Sequence, residues 1–135
     1  MTQEWNRLIQ KNFDDAATIY NEHARIQKTI ALDLSKLCAQ KSIPKGIWVD
    51  LGSGTGLLAE SLESLHPNQQ IIRVDNSKEM IGQQRSQYLT KIWDLNLGLP
   101  PFQEPPQLLA SNFVLHWLND PTKQLKEWFN VLASG

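Results

Sequence analysis

Three glycines at alternate positions, Gly52, Gly54 and Gly56, stand between an acid, Asp50, and an apolar run, and a second acid, Asp75, ends the next apolar run. Glycines this dense let a backbone come close to something other than itself, because a side chain there would occupy the ligand's volume. The plain alternative is that they only make a tight turn from strand to helix. A dinucleotide fingerprint counted from Gly52 and Gly54 needs its third glycine at position 57, where Leu57 stands. A phosphate-binding Walker loop needs a Gly-Lys-Ser/Thr ending, and the sequence has none.

What remains is Asp-x-Gly-x-Gly-x-Gly with an acid at the end of the next strand. That pairing suits a ligand with a cationic amino-acid end and a ribose but no phosphate. Asp50 can attract an ammonium directly or through water, the glycine amides admit the carboxylate and sulfonium side, and Asp75 can accept both ribose hydroxyls. S-adenosylmethionine fits this description, with S-adenosylhomocysteine (SAH) as its product.

The elements that must hold these residues are legible in the apolar periodicity. From about Asp15 to Gln40, Ile19, Ile26, Ile30, Leu34 and Leu37 recur at helical spacing, with Ala24, Ala31 and Cys38 widening the stripe. Tyr20, His23 and Gln27 lie on or beside it, which means either that they face a cleft or that they find partners at the core margin. Pro44 ends this helix, and a buried strand (Ile47, Val49, Leu51) leads into the glycine turn. A helix from Gly56 to Leu65 carries Leu58, Leu62 and Leu65 and stops at Pro67. Gln70 to Asp75 reads as a second strand, and Asn76 or Ser77 caps a third helix from which Met80 and Ile81 point inward. Tyr88 to Trp93 reads as a third strand, Gly98 to Pro106 as a proline-rich loop, and Gln107 to Asn112 as a fourth strand. Asp120-Pro121 then starts a helix with Leu125, Trp128, Phe129 and Leu132 as its apolar stripe. Strands alternating with helices predict a parallel, doubly wound α/β sheet.

The bulk properties narrow the function classes. A length of 135 residues predicts one domain, and 13 basic against 14 acidic residues, scattered, argue against nucleic acid as a partner. The single cysteine, Cys38, cannot form an internal disulfide and reads as a buried thiol. No apolar run approaches membrane-spanning length and the first residues carry acids without an apolar core, so neither a membrane span nor a secretory signal is expected. The expected location is the cytoplasm, and no metal site is expected.

Over residues 46 to 135 the sequence resembles the class I S-adenosylmethionine-dependent methyltransferases, which carry a Rossmann-like, mostly parallel sheet. Val49 to Gly56, including Ser53, looks like that family's first motif, and Val74-Asp75 like its ribose-binding acid. Asp94, followed by Leu95, stands where the family contacts the adenine amino group, and Met80, four residues past Asn76, where it packs a side chain on the adenine ring. For Asp94 alone, an exposed loop carboxylate is the rival reading. Two further stretches are similar to the biotin-pathway malonyl-acyl-carrier-protein O-methyltransferases. They are Phe13 to Gln27, which resembles their N-terminal helix, and Ser111-Asn112-Phe113-Val114-Leu115-His116-Trp117, in which His116 stands where that group often has glutamine.

The resemblance implies one domain, with residues 1–45 as an N-terminal helical lid and 46–135 as an incomplete α/β core. Ala133-Ser134-Gly135 looks like the turn into a further strand, so truncation after the helix following strand four is expected, leaving the strand-four edge exposed for self-association. The implied partner is an acyl carrier protein bearing a malonyl thioester, and the implied reaction is methyl transfer to its free carboxyl. The alternatives are another small-molecule O-methyltransferase or a non-catalytic scaffold. Within this scheme Asp50, Gly52, Ser53, Gly54, Gly56, Asp75, Asn76, Met80, Asp94, Leu95 and Asn112 hold the cofactor. Tyr20 and His23 close the site and orient the substrate, with Asn112 and His116 as the opposite wall; packing or capping is the alternative for His116.

Overall fold

The computed structural model describes residues 2–85 and 88–134, apart from the side chains of residues 13, 14, 16–18, 20 and 21. The first helix, α1 (Gln3–Ala39), begins twelve residues before the expected start, because neither glycine nor proline interrupts it and Thr2 caps it, its Oγ1 accepting from the Trp5 N–H at 3.2 Å. There follow β1 (Trp48–Leu51), α2 (Leu57–Leu65), β2 (Ile71–Asp75), α3 (Lys78–Gly82), β3 (Thr90–Ile92), β4 (Leu108–Ser111) and α4 (Pro121–Val131). Short 3-10 turns lie at Leu95–Leu97 and Leu115–Trp117. All pairings are parallel, in the order β3-β2-β1-β4, as the alternation of strands and helices predicts.

Side-chain alternation gives each face of the sheet its own core. Trp48 and Ile71 pack with Ala31 of α1 and Leu58, Ala59 and Leu62 of α2. Val49, Leu51 and Val74 pack on the other face with Leu95, Val114 and Trp128. Burying each large apolar side chain contributes roughly 1.5–3 kcal/mol, so the two clusters together fix which face of the sheet each β1 side chain takes.

Three expectations about faces are corrected. On α1 the buried stripe runs through Ala31, Ser35 and the half-buried Leu34 and Cys38, while Ile19, Ile26 and Leu37 are exposed. Small residues win because they let α1 approach Ala59 of α2 closely, which a stripe of isoleucines would not. On α3 nothing is buried: Met80 is 42% exposed and Ile81 half-buried, since five residues make too short a helix to cover the sheet. On α4 Gln124 and Trp128 are buried, and Leu125 and Phe129 face outward.

Candidate functional site

The candidate residues converge where parallel strands end. Asp50 lies one residue before the end of β1, Asp75 ends β2, Asp94 lies two residues past β3 and Asn112 one past β4. In open parallel sheets this carboxyl edge is where ligands bind. The Trp93 N–H donates to the Asp75 carbonyl at 3.0 Å, which keeps the ends of β2 and β3 side by side.

The turn after β1 is held by its own backbone. The N–H groups of Gly52 and Ser53 both donate to the Val74 carbonyl at 2.8 Å, and the Gly56 N–H donates to the Ser53 carbonyl at 2.8 Å. Gly52, Gly54 and Gly56 all have positive φ, at 72°, 56° and 95°. Their lack of side chains serves different ends. A Cβ on Gly52 would fall 2.0 Å from Val114, and one on Gly56 would fall 3.0 Å from the Gln84 carboxamide oxygen, whereas one on Gly54 would meet nothing within 4 Å. Ligand volume, expected for all three, is left open only at Gly54; the other two admit protein side chains.

Asp75 and Asp50 play opposite electrostatic parts. The Gly54 N–H donates to Asp75 Oδ2 at 3.0 Å and the Ser77 N–H to Oδ1 at 2.9 Å, and each oxygen keeps lone pairs for a further donor. Asp50 is 1% exposed and accepts from the Ala59 N–H at 3.1 Å in the first turn of α2. Burial lifts its carboxyl from 3.8 to about 7; the Ala59 hydrogen bond and the charge of Arg73 pull it down, and the charge of Asp75 pushes it further up.

Arg73 and Gln84 were not singled out in the sequence. Arg73 is fully buried in register with Asp50, reaches Glu63 through two hydrogen bonds of 2.9 and 3.0 Å, and lies 3.7 Å under the Tyr88 ring. A lone arginine inside the apolar run Ile71-Ile72-Arg73-Val74 was the available signal. Gln84, just past α3, donates to the Gly54 carbonyl at 2.8 Å and Ser53 Oγ at 3.2 Å. Its polar neighbours Gln83 and Arg85 give it no signature.

The other expected residues divide. Ser77, rather than Asn76, caps α3, and Asn76 is exposed. Asp94 accepts from the Asn96 N–H at 2.9 Å. The Leu95 side chain is in the core, so only its backbone can face a ligand. Asn112 donates to the Gln27 carbonyl at 3.1 Å, and the His23 ring, bonded to Gln27 at 3.0 Å, lies 5.9 Å from that of Phe113. These contacts bring α1 to the segment after β4. Phe113 has φ 59°, a strained conformation for a bulky residue. His116 is exposed, its ring 5.1 Å from that of Trp117 and tilted by 41°; the Tyr20 side chain lies outside the described residues. Cys38 is half-buried rather than buried, and burial raises its thiol above 9.0. Among the described residues no cluster could hold a metal ion and no helix is long and apolar enough to cross a membrane.

A doubly wound sheet with an open glycine turn and acids at its carboxyl edge defines a nucleotide-type cofactor fold. The family described as a methyltransferase domain matches residues 49–135, and the chain belongs to it. It is similar to the malonyl-[acyl-carrier protein] O-methyltransferase of Bacillus anthracis, 30% identical over 131 residues, covering 93% of this chain and 49% of the relative. Its counterpart from Bacillus cytotoxicus is 34% identical over 134 residues, covering 93% and 46%. The chain thus spans about half the length of the curated relatives it matches. The crystal structure of the plantazolicin methyltransferase BpumL, in complex with a monoazolic desmethylPZN analog and SAH, superposes with a TM-score of 0.60 at 18% identity, covering 94% of this chain and 49% of that one. That likeness shows a shared Rossmann-like fold.

Proposed function

We propose that this chain binds S-adenosylmethionine at the glycine turn and directs its methyl group to a carboxylate, that of a malonyl thioester on an acyl carrier protein. The observation that carries the reading is the cradle at Gly54, open where a side chain would begin and flanked by Asp75. The residues fit the cofactor: Asp75 has lone pairs for two ribose hydroxyls, and the buried Asp50 carboxyl, raised to about 7, is charged above that pH and then attracts an ammonium from below the turn. Asp94, the Leu95 backbone and Met80 stand on the β3 side for the adenine.

When bound, the sulfonium supplies a methyl group open to in-line displacement. The chain's own work is positioning and water exclusion. A carboxylate acceptor is ionised near neutral pH and needs no general base, so the site requires no catalytic dyad. His23, held by Gln27 and set against Phe113, forms the α1 wall, with Tyr20 one turn away on the same helix; Asn112 and His116 line the segment after β4. The malonyl acceptor rests on the relatives' names together with the Phe13–Gln27 and Ser111–Trp117 stretches.

Calorimetric titration with SAH, followed by radiolabelled methyl transfer to malonyl-acyl carrier protein beside other small carboxylic acids, tests the proposal. SAH binding and label on the malonyl carrier are expected. Label only on another acid would leave a small-molecule O-methyltransferase, and no SAH binding would leave a scaffold.

A further inference from the structure

Gln84 belongs to no motif in the sequence, yet its carboxamide lies across the glycine turn. Its Nε2 donates to the Gly54 carbonyl and to Ser53 Oγ, while Gly54's N–H is taken by Asp75. Both polar groups of the one turn glycine that faces open space are therefore held by side chains, Asp75 at the end of β2 and Gln84 beyond it. Gly56 makes room for this arrangement: a Cβ there would sit 3.0 Å from the Gln84 oxygen and 3.2 Å from its amide carbon. That oxygen is buried without a hydrogen-bond partner among the described residues, as is Arg73 Nε beside the same glycine, so the side chain is held here by its amide hydrogens. Because α3 buries nothing, these hydrogen bonds are also a main tie between the turn and the segment after β2.

We infer that Gln84 is a positioning residue for the amino-acid end of the cofactor, fixing the left-handed turn at Gly54 before the ligand arrives. This inference rests on the cofactor reading above. In that reading the adenine and ribose ends belong to the ends of β3 and β2, and the amino-acid end to the turn after β1. Gln84 touches only the last, and Asp75 keeps its own hydrogen bond from the Ser77 N–H, so the loss of Gln84 falls mainly on the amino-acid end of the ligand. A turn already in its bound shape binds more tightly because less ordering remains to be done.

The test compares SAH with 5′-methylthioadenosine, which shares the adenosine part and lacks the amino-acid end, by calorimetry on the full chain and on Gln84→Met, which keeps the volume and removes the hydrogen bonds. Gln84→Glu, of the same size but without an N–H for the Gly54 carbonyl, is the second variant, and thermal melting follows both. SAH should weaken about tenfold in each variant, the equivalent of a lost buried hydrogen bond, with methylthioadenosine within about twofold of wild type. Equal weakening of both ligands, or of neither, in whichever variant is folded would overturn the inference. Wild type binding neither ligand would overturn the cofactor reading and this inference with it, whereas wild type binding SAH with unchanged selectivity in the variants sinks the inference alone.

Discussion

Gly52→Ala and Gly54→Ala should fail in opposite ways, although the two residues are neighbours in one motif. At Gly52 the new methyl meets a positive φ of 72° and lies 2.0 Å from Val114. A left-handed alanine costs roughly 1–2 kcal/mol and overpacking a core typically about 1–3, together about 2–5 kcal/mol. Total stability is on the order of 5–15 kcal/mol, and each kcal/mol moves the Tm of a chain this size by roughly 3 °C, so a fall of about 6–15 °C is expected. At Gly54 only the backbone term applies, because nothing lies within 4 Å. Its Tm should drop by roughly 3–6 °C, while the methyl enters the cradle and weakens SAH by at least about tenfold. Thermal melting and calorimetry on the two purified variants read both axes. Gly52→Ala melting within about 2 °C of wild type, or Gly54→Ala binding SAH as wild type does, would refute the division of labour assigned to these glycines.

Other outcomes follow from the same geometry. Since the Asp50 carboxyl sits at about 7 in the folded protein against 3.8 ordinarily, its protonated form adds stability below about pH 4 that is lost as pH rises through about 7; denaturant titrations from pH 4 to 8 should show this slope, and Asp50→Asn should flatten it. Glu63→Gln leaves the buried Arg73 without its charge partner and should cost on the order of 3–5 kcal/mol in a denaturant melt, more than Arg73→Met, which removes the buried charge itself. Asn112→Ala cuts the hydrogen bond to the Gln27 carbonyl, so amide exchange around residues 24–31 should rise several-fold with the β1 ladder unchanged.

Much of the fold could be read from the sequence because its signals are local. The turn glycines, the acids ending the strands, the Ser77 and Asp120 caps and the alternation of strands with helices all act within a few residues of where they are written. What failed depended on distant partners. The isoleucine stripe of α1 has stronger apolar periodicity than the stripe through Ala31, Ser35 and Cys38, yet close approach to α2 selects the small residues. Phe129 satisfied helical spacing on α4 but lies 77% exposed, since the core cluster takes Trp128. The site divides the same way. Asp75 and Gly54 were legible from spacing, whereas Gln84 reaches Gly54 across thirty residues of chain through a side chain with no periodic signature.

The pair formed by Arg73 and Glu63 constrains how this sequence can change over generations. Arg73 is wholly buried and Glu63 partly so, on different elements ten residues apart. Losing the acid first strands a cation in the core, while losing the arginine first leaves a carboxylate that can still reach water. Drift away from the pair therefore has a favoured direction, arginine before glutamate, with an apolar residue on β2 as the passable intermediate. The guanidinium that steadies the sheet beneath the glycine turn thus also gives the substitutions at these two positions a favoured order.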